Sequence, residues 1–119
     1  MAAILIAEDD KGVREFVSRA LERDGHHIIA VSDGTEALEV LTEGGFDLLL
    51  TDIVMPEMDG IALALKVAKD YPKLKVLMMT GYAHEQQRVY NLEILIHDVV
   101  PKPFTLQQIR EAARQVLDG

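Results

Sequence analysis

Hydrophobic positions along the chain fall into two alternating patterns. Short continuous apolar runs occur at Ala3–Ala7 (AILIA), Ile28–Val31 (IIAV), Leu48–Thr51 (LLLT), Val76–Thr80 (VLMMT) and Val99–Val100. Runs this short with no polar alternation read as strands buried on both faces, the signature of a parallel sheet. Between and after them lie amphipathic stretches at Val13–Asp24, Thr35–Glu43, Ile61–Lys69, Glu85–Leu92 and Leu106–Leu117. In the first, Val13, Phe16, Val17, Ala20 and Leu21 recur at helical spacing, as do Leu106, Ile109, Ala113, Val116 and Leu117 in the last. Gly25, Gly34 and the Gly44-Gly45 pair punctuate the joins. Five strand–helix units predict an α/β fold: a doubly wound, open parallel sheet of five strands with helices on both faces.

Such a sheet places its ligands beyond the carboxyl ends of the strands, at the topological switch point. The residues that end the strands therefore carry the chemistry. Strand one ends in Glu8-Asp9-Asp10, strand three in Thr51-Asp52, strand four in Thr80-Gly81, and strand five runs into Lys102-Pro103. Acids from neighbouring strands repel one another unless a cation joins them. A hard divalent ion such as Mg²⁺ relieves this with oxygen ligands, keeps some of its waters and favours a phosphoryl oxygen as a partner. Thr80 can donate a hydrogen bond to such a group, and Lys102 can neutralise another of its oxygens. One carboxylate is then left as a nucleophile, as in aspartyl-phosphate chemistry. Each residue also has a plainer reading. Asp9 or Asp10 would cap the first helix. Thr80 would be a satisfied strand-end hydroxyl, and Lys102 a solvated surface lysine. Asp52, following three leucines, is costly to bury as mere packing. The chemical reading rests on four strand ends agreeing at once.

Composition narrows the field. The chain has 119 residues, 49% hydrophobic and 27% charged, which is ordinary for one globular domain. It contains no cysteine, so disulfide, thiolate and iron–sulfur chemistry are excluded. Twelve Lys and Arg against 20 Asp and Glu give a net charge of −8, which disfavours nucleic acid and anionic membranes as partners. No apolar run approaches the ~18–20 residues of a membrane helix, and Met1–Ala7 lacks the basic segment of a secretion signal, so the expected compartment is the cytoplasm. Glycine-rich dinucleotide, Walker A, nucleophile-elbow, zincin and EF-hand motifs are absent. His26 and His27 are expected at the solvent-facing entrance of strand two, and His97 in a structural or interfacial role. Met78 and Met79 are expected as core filler, and Gly60 as supplying a turn conformation before the third helix.

Four ordered motifs carry a resemblance. Ile4–Asp10 (ILIAEDD), Leu48–Gly60 (LLLTDIVMPEMDG), Met79-Thr80-Gly81 and Pro101-Lys102-Pro103-Phe104 resemble, across the whole chain, the bacterial response-regulator receiver domains, the family of the chemotaxis receiver. The resemblance implies a flavodoxin-like fold with strand order 2-1-3-4-5, an order for which the chemotaxis receiver is a standard example. It implies Asp52 as phosphoacceptor, Thr80 as the switch hydroxyl and Lys102 as the phosphate-reading lysine. Alignment on Arg14 makes Glu8 and Asp9 the acid pair. Mg²⁺ would be held by Asp9 and Asp52 directly, by Glu8 through water and by the backbone carbonyl of Val54. Asp10 becomes an extra acid at the rim, and the Lys102–Pro103 bond is expected to be cis. The implied partners are a histidine kinase or histidine phosphotransfer protein, contacting the exposed side of the first helix and the loop after Pro103. A downstream protein would dock on the face of the fourth and fifth helices and fifth strand, around Tyr82, Tyr90, His97 and Val99. The implied reaction is transfer from phosphohistidine to Asp52, followed by hydrolysis by the domain itself, a regulator and not an enzyme in the usual sense.

The sequence departs from the family in two places. Val99 stands where an aromatic switch residue is common, and Leu95-Ile96 where Gly-Ala is usual. Tyr82 is a candidate to cover the phosphoryl site instead. Residues 1–119 are expected to form one receiver domain of the stand-alone kind. The LLLTDIVMPEMDG loop and MTGY segment are similar to alphaproteobacterial cell-cycle receivers of the CpdR type, which act as phosphorylation-controlled adaptors for the ClpXP protease. Two alternatives remain at this point. One is a receiver-like interaction module that never takes phosphate. The other is an aspartyl phosphatase of the haloacid dehalogenase type, which would want a second Asp where Val54 stands.

Overall fold

The computed structural model describes residues 2–81 and 97–119. The predicted helical stretch Glu85–Leu92, with Tyr82, Tyr90, Leu95 and Ile96, lies outside the described residues. The elements run β1 (Ala3–Ala7), α1 (Lys11–Glu22), β2 (His27–Val31), α2 (Gly34–Leu41), β3 (Leu48–Asp52), α3 (Gly60–Asp70), β4 (Lys75–Thr80), β5 (Asp98–Pro101) and α4 (Leu106–Asp118). All strand pairs are parallel and the sheet order is β2-β1-β3-β4-β5. The predicted flavodoxin-like order is therefore the observed one.

Strand alternation sorts the core into two halves. Leu5, Ala7, Leu49, Val76 and Met78 face α2 and α3. Ile4, Ile6, Leu48, Leu50, Leu77, Met79 and Val100 face α1 and α4. All five residues of β3 are buried, as expected of a central strand covered on both sides. β2 differs from its reading as a buried strand: His27, Ile29 and Ala30 are exposed, because it is an edge strand. His27 belongs to this strand instead of preceding it. His26, half-buried, accepts from the Ala2 N–H through Nδ1 at 3.2 Å. His97 is exposed and structural: its Nδ1 accepts from the Val76 N–H at 2.9 Å, fastening the start of β5 to β4. Met78 and Met79 are fully buried, as expected of core filler.

Capping residues fix where the helices begin. Asp10, Asp33, Asp59 and Thr105 each accept a backbone N–H three residues on, so α1, α2 and α3 start one or two residues earlier than periodicity alone places them. α1 and α2 also end earlier than predicted, at Glu22 and Leu41, where Gly25 (φ 85°) and the Gly44-Gly45 pair (φ 75° and 85°) turn the chain. Gly60 corrects the sequence reading: it is not among the residues with left-handed φ. Its requirement is closeness, since a Cβ there would lie 1.9 Å from the backbone oxygen of Asp52. Gly34 is pressed in the same way, against the Met58 carbonyl at 2.6 Å. These two glycines let α2 and α3 close on the end of β3 and the loop that follows Asp52.

Candidate functional site

The register explains why distant residues meet. Ala7 pairs with Thr51, so Glu8 and Asp52 lie one step further along adjacent strands. Thr80 pairs with Pro101, so Lys102 follows at the same level. Alternation then continues the column Ile4–Ile6 into Glu8 and the column Leu48–Leu50 into Asp52, on one face of the sheet. Lys102 reaches the same place after Val100. Its Nζ lies 2.6 Å from Glu8 Oε1 and 3.2 Å from Asp52 Oδ2. The Lys102–Pro103 bond is cis, as the resemblance implied.

Glu8 is fully buried, Asp52 is nearly so, and Asp9 is exposed. One carboxylate oxygen from each lies within 4.8 Å of the others, a group among the described residues that could hold a metal ion. Glu8 Oε2 accepts from the Asp10 N–H at 3.2 Å, and Asp52 Oδ1 from the Ile53 N–H at 2.9 Å. Burial pushes the Glu8 carboxyl up to about 7; the Lys102 hydrogen bond opposes this and the Asp52 charge adds to it. Burial alone would lower the Lys102 ammonium, but the Glu8 hydrogen bond and the Asp52 charge outweigh it and hold the group above its ordinary value. One ammonium therefore faces an excess of carboxylates, one of them held against ionisation. The donor set is all oxygen, clustered and undercompensated in charge, which fits a hard divalent cation such as Mg²⁺.

Asp9 and Asp10 divide the work that the sequence left open. Asp10 caps α1 through Val13 N–H at 3.0 Å, which leaves the Asp9 carboxylate for the cluster. Of the predicted residues, Glu8, Asp9, Asp52 and Lys102 are brought together, while no side-chain hydrogen bond or ion pair among the described residues joins Thr80 or Val54 to them. Thr80 continues the Val76–Met78 column, is fully buried, and its Oγ1 has no hydrogen-bond partner among the described residues. An unpaired buried hydroxyl costs stability, and its donor is available to an acceptor in the crevice. Val54 is 56% exposed and lines, with Gly12, Val13, Phe16, Gly81, Pro103 and Phe104, an apolar concavity of about 640 Å³ that opens on Asp52 and Lys102. Phe16 and Phe104 form its far wall, their ring centroids 6.3 Å apart. A larger concavity of about 1680 Å³ lies at the opposite end of the sheet, beside Asp47, Tyr71, Lys75 and Arg110, away from the carboxylate cluster.

Sequence reasoning missed the direct Glu8–Lys102 pair and the packing role of Gly60. Gly60 carries no signal of its own in the sequence, because the Asp59-Gly60 step reads equally as a turn. At the aromatic-switch position Val99 is half-buried and packs against the α2–α3 half of the core.

Comparison with known proteins gives a consistent picture. The family described as "Response regulator receiver domain" matches residues 4–114. The chain is 41% identical over 117 residues to the response regulator receiver protein CpdR of Brucella abortus, covering 98% of each. It is 36% identical to part of the sensor kinase CckA of the same organism, of which it spans 13%. Among solved structures, the response regulator TrrA of Thermotoga maritima in complex with Mg²⁺-BeF superposes with a TM-score of 0.88 at 27% identity, over 98% of this chain and 99% of that one. No helix among the described residues is long and apolar enough to cross a membrane.

Proposed function

Because the chain belongs to the response regulator receiver family, we propose that it is a phosphorylation switch whose acceptor is Asp52. The observation that supports this best is the ammonium of Lys102 bridging Glu8 at 2.6 Å and Asp52 at 3.2 Å within a carboxylate cluster. An oxygen of Asp52 attacks the phosphorus of a phosphohistidine. The P–N bond breaks and its electron pair returns to the imidazole. Asp9 and Asp52, Glu8 through water and the Val54 carbonyl would hold Mg²⁺, which would supply charge neutralisation for the phosphoryl oxygens. Lys102 turns from Glu8 to one of those oxygens, and the unpartnered Thr80 hydroxyl donates to another. The acyl phosphate is later hydrolysed by water in line with the leaving Asp52 oxygen.

The apolar concavity walled by Phe16 and Phe104 suits docking of the phosphodonor, a histidine kinase or phosphotransfer protein. Movement of Thr80 is proposed to reshape the face that includes β5 and α4 and so to control docking of a protein effector. Likeness to CpdR supports the narrower reading of a phosphorylation-controlled adaptor for the ClpXP protease. We take residues 1–119 as one receiver domain, and its cytoplasmic placement follows from the family reading alone. Incubation with acetyl phosphate and Mg²⁺ tests the proposal. The expected result is a mass gain of one phosphoryl group that is lost in Asp52→Asn and in excess chelator. A gain retained by Asp52→Asn, or none in the wild type, overturns it and favours a non-phosphorylated interaction module.

A further inference from the structure

Three successive backbone carbonyls in the β1–α1 turn accept from one residue. Arg14 donates its backbone N–H to Asp10 O at 2.9 Å, and its guanidinium Nη1 to Glu8 O at 2.8 Å and to Asp9 O at 3.4 Å. These carbonyls belong to the residues whose side chains reach toward Asp52 and cap α1. The turn leaves the sheet after Glu8, whose N–H still bonds Val31 O at 3.1 Å. Beyond that point no ladder holds it, and its path depends on the capped helix and the half-buried guanidinium.

We propose that Arg14 is a positioning residue that sets the affinity of the acid cluster for Mg²⁺ without touching the ion. The inference rests on the metal reading above. Two effects of Arg14 oppose each other. Its charge, behind the turn, repels a cation. Its Nη1 alone bridges the Glu8 and Asp9 carbonyls, and through them sets the directions of both carboxylates. Groups that orient metal ligands without ligating typically change affinity about 10- to 100-fold, whereas one partly screened charge acts more weakly. Positioning therefore dominates.

The test compares Mg²⁺ dissociation constants by titration calorimetry, with urea unfolding in chelator run in parallel. The variants are Arg14→Lys, which keeps the charge but not the planar guanidinium that aims Nη1 at the turn, Arg14→Gln, which removes both, and Arg19→Gln. Arg19 is exposed on the same helix, so the last removes an equal charge with no contact to the turn. Binding is expected to weaken by about tenfold in Arg14→Lys and at least as much in Arg14→Gln, and to be unchanged or slightly tighter in Arg19→Gln. If Arg14→Lys binds like wild type while Arg14→Gln binds more tightly, Arg14 acts as a charge and the inference is overturned. Lower unfolding midpoints with unchanged Mg²⁺ affinity overturn it in favour of a purely structural role. Failure of the wild-type chain to bind Mg²⁺ defeats the metal reading, and this inference with it.

Discussion

Glu8 offers the sharpest test of the site's electrostatics. Its carboxyl is fully buried and raised from 4.5 to about 7 in the folded chain, net of the stabilising Lys102 hydrogen bond. Between these two values the unfolded chain has released the proton and the folded chain still holds it. Unfolding then releases protons, so stability falls as pH rises. The penalty is absent below pH 4.5, grows through the window and is complete above about 7. At 1.36 kcal/mol per pH unit the shift amounts to about 3 kcal/mol. Glu8→Gln removes the titration and keeps the shape. The assay is urea unfolding of both proteins in chelator across pH 4 to pH 8. The wild type is expected to lose about 3 kcal/mol relative to Glu8→Gln across that range. Saturating Mg²⁺ is expected to flatten the difference, because a bound cation favours the ionised carboxylate. A difference constant to within about 0.5 kcal/mol in chelator would refute the reasoning.

Two further substitutions probe the frame around the site. Thr80→Val replaces an unpartnered buried hydroxyl with a methyl group of similar size, so the unphosphorylated protein is expected to be as stable as wild type or more so; a loss above about 1 kcal/mol in urea unfolding contradicts this. Gly60→Ala drives a Cβ to 1.9 Å from the Asp52 backbone oxygen, which no side-chain rotation can relieve. The expected cost is about 3 kcal/mol or more, against ~1–2 kcal/mol for Gly45→Ala, where space is open and only the φ of 85° resists. Equal midpoints for the two variants would show that the β3–α3 loop yields more easily than its packing indicates.

How much was legible in the sequence follows from what periodicity encodes. Apolar runs locate strands because burial on both faces leaves no polar position, and the site follows because doubly wound sheets use strand ends. Glu8, Asp52, Thr80 and Lys102 were picked out by that route, and the structure places them at the strand ends. The Lys102–Glu8 bridge was not, because it depends on register: Ala7 opposite Thr51 and Thr80 opposite Pro101. Sequence states where a strand ends but not which residue of its neighbour lies beside that end. The same limit hid the split between Thr80 and the other three residues. Parity along β4 sends Thr80 with Val76 and Met78, while Glu8 and Asp52 follow the opposite columns. Exposure of β2 was hidden because an edge strand and a central one can carry the same apolar letters.

In the proposed function, that split gives the site its logic as a switch. Before phosphorylation Lys102 satisfies two of the carboxylates, so the acceptor is held ready without a full complement of positive charge. Thr80, one strand away, has a hydroxyl with no partner among the described residues. A phosphoryl group on Asp52 would bring acceptor oxygens within reach of both, drawing Lys102 from Glu8 and Thr80 from its unpaired state. The driving force is thus stored as unmade bonds, one hydroxyl and one excess of carboxylate charge. The resting site does not need strained backbone to supply it. Removing the hydroxyl should therefore stabilise the resting state and disable the response, whereas removing Lys102 should disturb both states. A single property, cost in one state repaid in the other, separates the two residues.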